Sequence, residues 1–500
     1  MGIASKVGRA SFWVAASKGL VSVISAVSTV VLARLLLPRD FGLVAIGLTM
    51  INIVAAVTDL SLVSALIQHE SPKEEHLHCA WTLNALRGAI LCAFFIAVGP
   101  LVAHFYHDRR LVTVMVVIGS SVFCSGLTNP KVAMLKRDLV FWQDFIIQVA
   151  QKLVMTVASI VFAVLYKSYV ALLAGIIAGE ITQVAVSYMF VPYRPRVRLF
   201  GYRDLIGFSG WLTLSQIVQT INWRLDPLIV GKFVGASQLG LFTVFGRLAA
   251  IPTRDTTLPL TATLFPALCQ VRDDRQRLQG AAMRAQVLIS AISLPCACLT
   301  ASVAYPLVLL TMGRHWISAI YVLQILAVAT AFQTLAMVYE PATMALGKTR
   351  LFFRRSLQLL AIRLPATVAG LYFGGLPGLM VALVFLAGVG LFLDMLVMKE
   401  AVGLRFRDQL LPHWRTVSSC CAMGGFSWLV GSSFNFGSTD LELVYTIILK
   451  GALAGTVYLV CLFGLWVLAN KPAGAEQDCL RVLKTLLRYS GSVSRLAGTP

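Results

Sequence analysis

The sequence predicts an all-α polytopic membrane protein of about fourteen transmembrane helices. They form two six-helix lobes in parallel repeat, followed by a C-terminal helix pair. Three observations predict this. The 500 residues are 58% hydrophobic and only 13% charged, whereas soluble domains carry about 25% charged residues. Apolar stretches of membrane-crossing length, about 20 residues, recur along the chain. And the stretch Arg34–Val44, RLLLPRDFGLV, is echoed 198 residues later, where Lys232 aligns with Arg34 and Gln238-Leu239-Gly240-Leu241 with Asp40-Phe41-Gly42-Leu43.

In chain order the predicted spans cover residues 12–36, 41–67, 80–103, 111–134, 141–166, 170–191, 205–234, 238–268, 285–312, 316–346, 350–373, 377–398, 413–431 and 442–469. The first apolar stretch is full-length and leads directly into a second span, so it reads as a retained helix rather than a cleaved signal. Gly235-Ala236-Ser237 marks a tight turn between spans 7 and 8, and Pro252 and Pro259 predict a kinked helix 8.

Lysine and arginine orient the set. With the N-terminus inside, the inner segments carry 26 of the 42 basic residues and the outer loops only five, Arg39, Arg109, Arg110, Lys167 and Arg314. Both termini are therefore expected in the cytoplasm. The net charge of +20 then faces the cytoplasm and anionic headgroups, which removes the reason to invoke nucleic acid. The outer loops are too short for a domain. The tail segment 476–488, with Leu480, Leu483, Leu486 and Leu487 at helical spacing, predicts an amphipathic helix on the inner surface. The ten cysteines lack zinc-ligand spacing and are expected as free thiols, without disulfides. No Walker or dinucleotide motif occurs, so neither a metal nor a cofactor is expected.

The repeat reaches further. Asn129-Pro130 precedes VAMLKRDLVF, and Glu340-Pro341 precedes TMALGKTRLFF; each is a proline inside the inner end of a span, then leucine, a basic pair and an apolar re-entry. The expected organisation is an N-terminal lobe 1–191, a cytoplasmic linker 192–204 and a C-terminal lobe 205–398. The extra helix pair follows at 413–469, and a cytoplasmic tail at 470–500. Six helices per copy give both copies one orientation, related by an axis along the membrane normal, with a site near midplane between them.

The segments LARLLLPRDFGL (Leu32–Leu43), DPLIVGKFVGASQLGLF (Asp226–Phe242), LFPALCQVRDDRQRL (Leu264–Leu278) and MALGKTRL (Met344–Leu351) carry a resemblance to a known family. The chain resembles the polysaccharide transporters of the MOP (multidrug/oligosaccharidyl-lipid/polysaccharide) superfamily, the Wzx-type flippases, over residues 5–400. The likeness is closest to the branch handling exopolysaccharide, colanic-acid-like and succinoglycan-like units. It implies a MATE-like two-lobe fold with a cationic cavity. It implies flipping of undecaprenyl-diphosphate-linked oligosaccharide across the bacterial inner membrane for exopolysaccharide or lipopolysaccharide biosynthesis. The implied partners are that lipid-linked oligosaccharide, membrane lipids, a polysaccharide polymerase and a chain-length regulator.

Charge at membrane depth marks candidate sites. A diphosphate head needs positive charge in a hydrated space, and arginine donates two hydrogen bonds at once. Arg247 and Arg254, seven residues apart, share a face of helix 8. Arg224 and Asp226 sit about 15 and 12 Å from the outer end of helix 7 and point different ways. The alternative for Arg224, Asp226 and Arg247 is a structural ion-pair cluster. In the first lobe, Lys152 is the deepest cation, while Lys18 and Arg87 either line the cavity or snorkel to the interface. Glu180, Asp226 and Asp59 are the candidates for ion coupling or ion pairing, with a static pair to Lys152 as the alternative for Glu180. Arg34 and Lys232, near span ends, are expected as interfacial anchors.

Two rival functions follow from the same sequence. A membrane polysaccharide polymerase or ligase needs a long outer loop with positioned acid or base groups. A MATE-like exporter of cationic small molecules needs acidic cavity residues. The short outer loops and the excess of buried cations favour a transporter of anionic cargo over both, and no catalytic residue is expected.

Overall fold

The computed structural model describes residues 3–58, 74–137, 140–198, 210–335, 337–431 and 440–470. Every regular element among them is helical: α1 (Ile3–Leu35), α2 (Pro38–Thr58), α3 (Glu74–Phe105), α4 (Arg110–Gly126), α5 (Val132–Arg137), α6 (Trp142–Tyr166), α7 (Val170–Phe190), α8 (Gly210–Ala250), α9 (Thr256–Gln270), α10 (Arg275–Ser302), α11 (Ala304–Met312), α12 (Ile320–Leu335), α13 (Tyr339–Ala345), α14 (Thr349–Ala401), α15 (Phe406–Leu410), α16 (Trp414–Gly431) and α17 (Asp440–Leu468). The predicted tail helix at 476–488 lies outside the described residues, as does Asp59.

Among the described residues, ten helices are long and apolar enough to cross a membrane. The expected fourteen are not reached by that criterion, for four reasons. α4 has only 17 residues, α16 is not apolar enough, and α8 and α14 each run through two predicted spans. Their backbones leave the helical region at Gly235 (φ 82°) and Gly375 (φ 56°). Positive φ costs glycine nothing and other residues strain, and both breaks sit where the sequence places an outer turn.

The lipid-facing surface is what hydrocarbon tolerates. Val157, Val161, Val164 and Leu165 of α6 are exposed together, a patch that water would penalise. Where helices meet, small residues let backbones approach, as membrane packing requires. Gly88 of α3 faces Gly126 of α4, and a β-carbon on either would press on the other helix's backbone.

The chain forms two compact units. One holds Met1–Val244 with Thr311–Trp316 and Thr367–Leu379; the other holds Phe245–Leu310, Ile317–Ala366 and Met380–Pro500. In the first unit α6 packs along α7 and α1, and α3 along α4. In the second, α10 packs on α12 and α16, and α16 on α17. The predicted linker begins at Pro192 as chain without regular structure and is fastened to α3. Arg198 N donates to Thr82 Oγ1 (3.1 Å), Arg198 pairs with Glu75 (3.2 Å), and His78 Nδ1 lies 2.8 Å from the Tyr193 hydroxyl. Desolvation pushes that phenol up to about 12, so it stays a neutral hydrogen-bonding group.

Candidate functional site

In the first unit the candidate charges cluster around a polar row on α6. Asp144, Gln148, Gln151 and Lys152 recur at spacings that share one helix face. Gln148 Nε2 donates to Asp144 Oδ2 (2.6 Å), and its Oε1 accepts from Ser17 Oγ of α1 (3.2 Å). Gln151 Nε2 donates to Glu180 Oε1 of α7 (3.2 Å). Glu180 Oε2 is buried and has no hydrogen-bond partner among the described residues. The alternative of a static Lys152–Glu180 pair is not what forms, because the amide of Gln151 takes that place. Lys152 is half-buried, its Nζ 3.9 Å from Met155 Sδ. Lys18 is exposed on α1. The sequence reading missed Asp144, Gln148 and Gln151. Their i, i+4, i+7 recurrence inside an apolar span was the available signal.

Arg87 is committed elsewhere. Its Nη2 donates to Ala55 O (2.7 Å) and its Nε to Thr58 Oγ1 (3.1 Å). It thereby satisfies the last turn of α2, where orphan carbonyls and the helix dipole favour a cation. Arg224 and Asp226 lie on the first arm of α8, Arg224 exposed and Asp226 buried beside buried Asn222. Their two-residue spacing puts them on different sides, as predicted.

Arg247 and Arg254 belong to the second unit. The helix between them is not regular. A π-helical segment, Ile251–Asp255, contains both Pro252 and Arg254. A π turn advances less per residue than an α turn, so Arg254 falls behind the shared face that seven-residue spacing predicts. Proline removes one backbone donor, and threonine hydroxyls take up local carbonyls. Thr253 donates to Ala249 O (2.7 Å), Thr256 to Pro252 O (2.8 Å) and Thr257 to Arg254 O (2.9 Å). Both arginines are exposed. Arg247 makes no hydrogen bond or ion pair among the described residues, and Asp255 is the acid whose charge acts on it.

A second polar cluster in this unit was not predicted. Arg355 and Asp394 form a two-point ion pair, Nε–Oδ1 2.5 Å and Nη2–Oδ2 2.9 Å, with side chains 12% and 6% exposed. The guanidinium stacks 4.7 Å over the Tyr339 ring, which stacks on Phe352. Glu340 is near enough for its charge to act on both partners. Arg354 also pairs with Glu400, and Lys348 Nζ donates to Ala401 O (3.0 Å). The hairpin explains the match. Arg355 lies 20 residues before Gly375 and Asp394 lies 19 after it, so a turn at Gly375 brings them level. Asp394 was legible as the lone acid in an apolar run.

Comparison with known proteins agrees with this architecture. Residues 31–321 match the model of a family described as "Polysaccharide biosynthesis protein". The lipopolysaccharide biosynthesis protein WzxC of Escherichia coli K12 is 21% identical over 80% of this chain and 83% of its own. The succinoglycan biosynthesis transport protein ExoT of Rhizobium meliloti is 24% identical over 71% of this chain and 72% of its own. Among solved structures, the lipid II flippase MurJ in an inward closed conformation superposes with TM-score 0.71 at 13% identity. That match covers 91% of this chain and 98% of MurJ, and it shows the fold alone.

Proposed function

The chain belongs to the polysaccharide biosynthesis protein family, and on that premise we propose that it flips a lipid-linked oligosaccharide across the bacterial inner membrane by alternating access. The cargo is an undecaprenyl-diphosphate-linked repeat unit, taken from the cytoplasmic leaflet and released outside, with both termini of the protein in the cytoplasm. The observation that carries this is Arg247. It is an exposed arginine inside a membrane-length apolar helix, with no hydrogen bond or ion pair among the described residues. An arginine facing hydrocarbon is prohibitively costly, so its donors require water or an anionic head. A diphosphate supplies oxygens in the geometry a guanidinium fork takes. Arg254, in the π segment, extends the positive surface, and Arg224, Lys152 and Lys18 serve the same purpose in the first unit. Arg87 acts as a helix-end anchor. Glu180, with one unpartnered buried oxygen, and Asp226 are the groups for ion coupling. The polymerase and chain-length regulator act next on the released unit.

Three experiments test this. A deletion strain accumulates lipid-linked repeat units on the inner leaflet, and the wild-type gene restores polysaccharide export. Arg247→Glu with Arg224→Glu abolishes export while the protein still reaches the membrane at normal level; full export by that double variant removes the cavity assignment. Glu180→Gln leaves cargo binding intact and removes any dependence of export on the ion gradient.

A further inference from the structure

The echoed sequence motifs meet in space, and they meet reciprocally. Gly42 lies against the carbonyl of Ala236, and Gly240 lies against the carbonyl of Pro38, so closely that a β-carbon on either glycine would overlap that oxygen. Under the 198-residue offset Gly42 becomes Gly240 and Pro38 becomes Ala236. The two contacts are thus one contact and its repeat-related image. All four residues lie in the first compact unit.

The cations beside them repeat the pattern. Arg34 Nε donates to Thr311 O (3.1 Å), in the last turn of α11. Lys232, the echo of Arg34, donates from Nζ to Phe105 O (2.6 Å), the last residue of α3, and lies 4.1 Å over the Phe105 ring. Each motif therefore places its cation on the carboxyl end of a helix from the other sequence half, where the dipole favours positive charge. Two neutral donors close the ring: Tyr106 Oη to Leu228 O (3.0 Å) and Trp316 Nε1 to Ala33 O (3.0 Å). Trp316 is fully buried and packs edge-on against Phe41. These six contacts join the sequence halves at the ends farthest from the basic loops. Every acceptor is a backbone carbonyl.

We infer that the echoed motifs are the two halves of one self-complementary outer seal, whose opening releases the cargo's head to the outside. This inference rests on the alternating-access reading above. Such a seal has a defined chemistry. Glycine is required at 42 and 240 because only a bare Cα lets the backbones close. A cation is required at 34 and 232 to hold helix ends.

The test is accessibility. A cysteine replaces Leu43, which is fully buried, in a full-length protein whose native cysteines are changed to alanine or serine. Intact cells are then treated with a membrane-impermeant maleimide. Gly42→Ala and Gly240→Ala are each expected to raise the labelling rate at position 43 by about tenfold, the scale of the overpacking penalty from the inserted β-carbon. The double variant is expected to show no further rise, since either clash alone holds the gap open. Where the alanine variants fail to accumulate, Arg34→Gln with Lys232→Gln, both at exposed positions, is expected to give the same rise. Arg34→Lys and Lys232→Arg are expected to leave labelling low. Unchanged labelling in all folded variants overturns the seal. Labelling does not depend on cargo. A raised rate with polysaccharide export unaffected by gene deletion keeps the seal and removes the flippase reading; the converse keeps the flippase and removes the seal.

Discussion

Asn129 and Glu340 occupy matching places in the repeat, each before a proline at the inner end of a span, yet the chain closes the two places with different chemistry. Around Asn129 the closure is neutral. Its Nδ2 donates to Ser187 O (3.2 Å) and Val191 O (2.7 Å), and its Oδ1 accepts from Lys131 N (2.9 Å). Asn129 and Ser187 are almost wholly buried. Around Glu340 the closure is ionic, with the Arg355–Asp394 pair under the Tyr339 ring. The first solution uses an amide to satisfy the orphan carbonyls at the end of α7. The second uses two full charges, whose burial is tolerable only while each has the other. The difference teaches that a repeat preserves where helices end more faithfully than how their ends are satisfied.

The comparison can be broken in order of expected effect. The largest is Asp394→Ala, which leaves Arg355 buried without its partner and is expected to cost roughly 3–5 kcal/mol, read as a fall in the midpoint of thermal unfolding in detergent. Replacing both partners at once, Arg355→Met with Asp394→Leu, is expected to recover most of that loss. If the double variant is no more stable than Asp394→Ala, the pair is more than a structural lock. Next comes Asn129→Ala, expected to cost about 1–3 kcal/mol because two carbonyls lose their donor. Equal losses from Asn129→Ala and Asp394→Ala would erase the contrast between neutral and ionic closure. The smallest is Arg87→Gln, expected to cost under about 1 kcal/mol, the worth of a cation at a helix end, with export retained. Loss of export in that variant, at unchanged stability, returns Arg87 to the transport path.

These expectations also show how far the sequence carried. Charges within apolar runs were legible one at a time, so Arg224, Asp226, Arg247, Lys152 and Glu180 all stood out as candidates. Their partners were not. Gln151 was invisible as the ligand of Glu180 because an amide carries no charge signal. Asp394 was overlooked though it stood alone in Leu391–Val397, and its pairing with Arg355 follows only once the chain is folded back at Gly375. The shared face of Arg247 and Arg254 holds for a regular helix, and the π segment that contains Pro252 disturbs it.

By itself the sequence determined what depends on short-range properties. Hydrocarbon selects long apolar runs, membrane asymmetry selects the basic loops, and positive φ selects glycine at Gly235 and Gly375. Only the tertiary structure decided which side chains meet: Arg87 with the end of α2, Arg355 with Asp394, and the motif at Arg34–Val44 with its own echo. Hydropathy is a property of a residue and its neighbours in the chain, whereas a hydrogen-bond partner is chosen among residues the fold brings near. That is why the echo was plain in the sequence as a repeat, and only the folded chain showed it to be a contact.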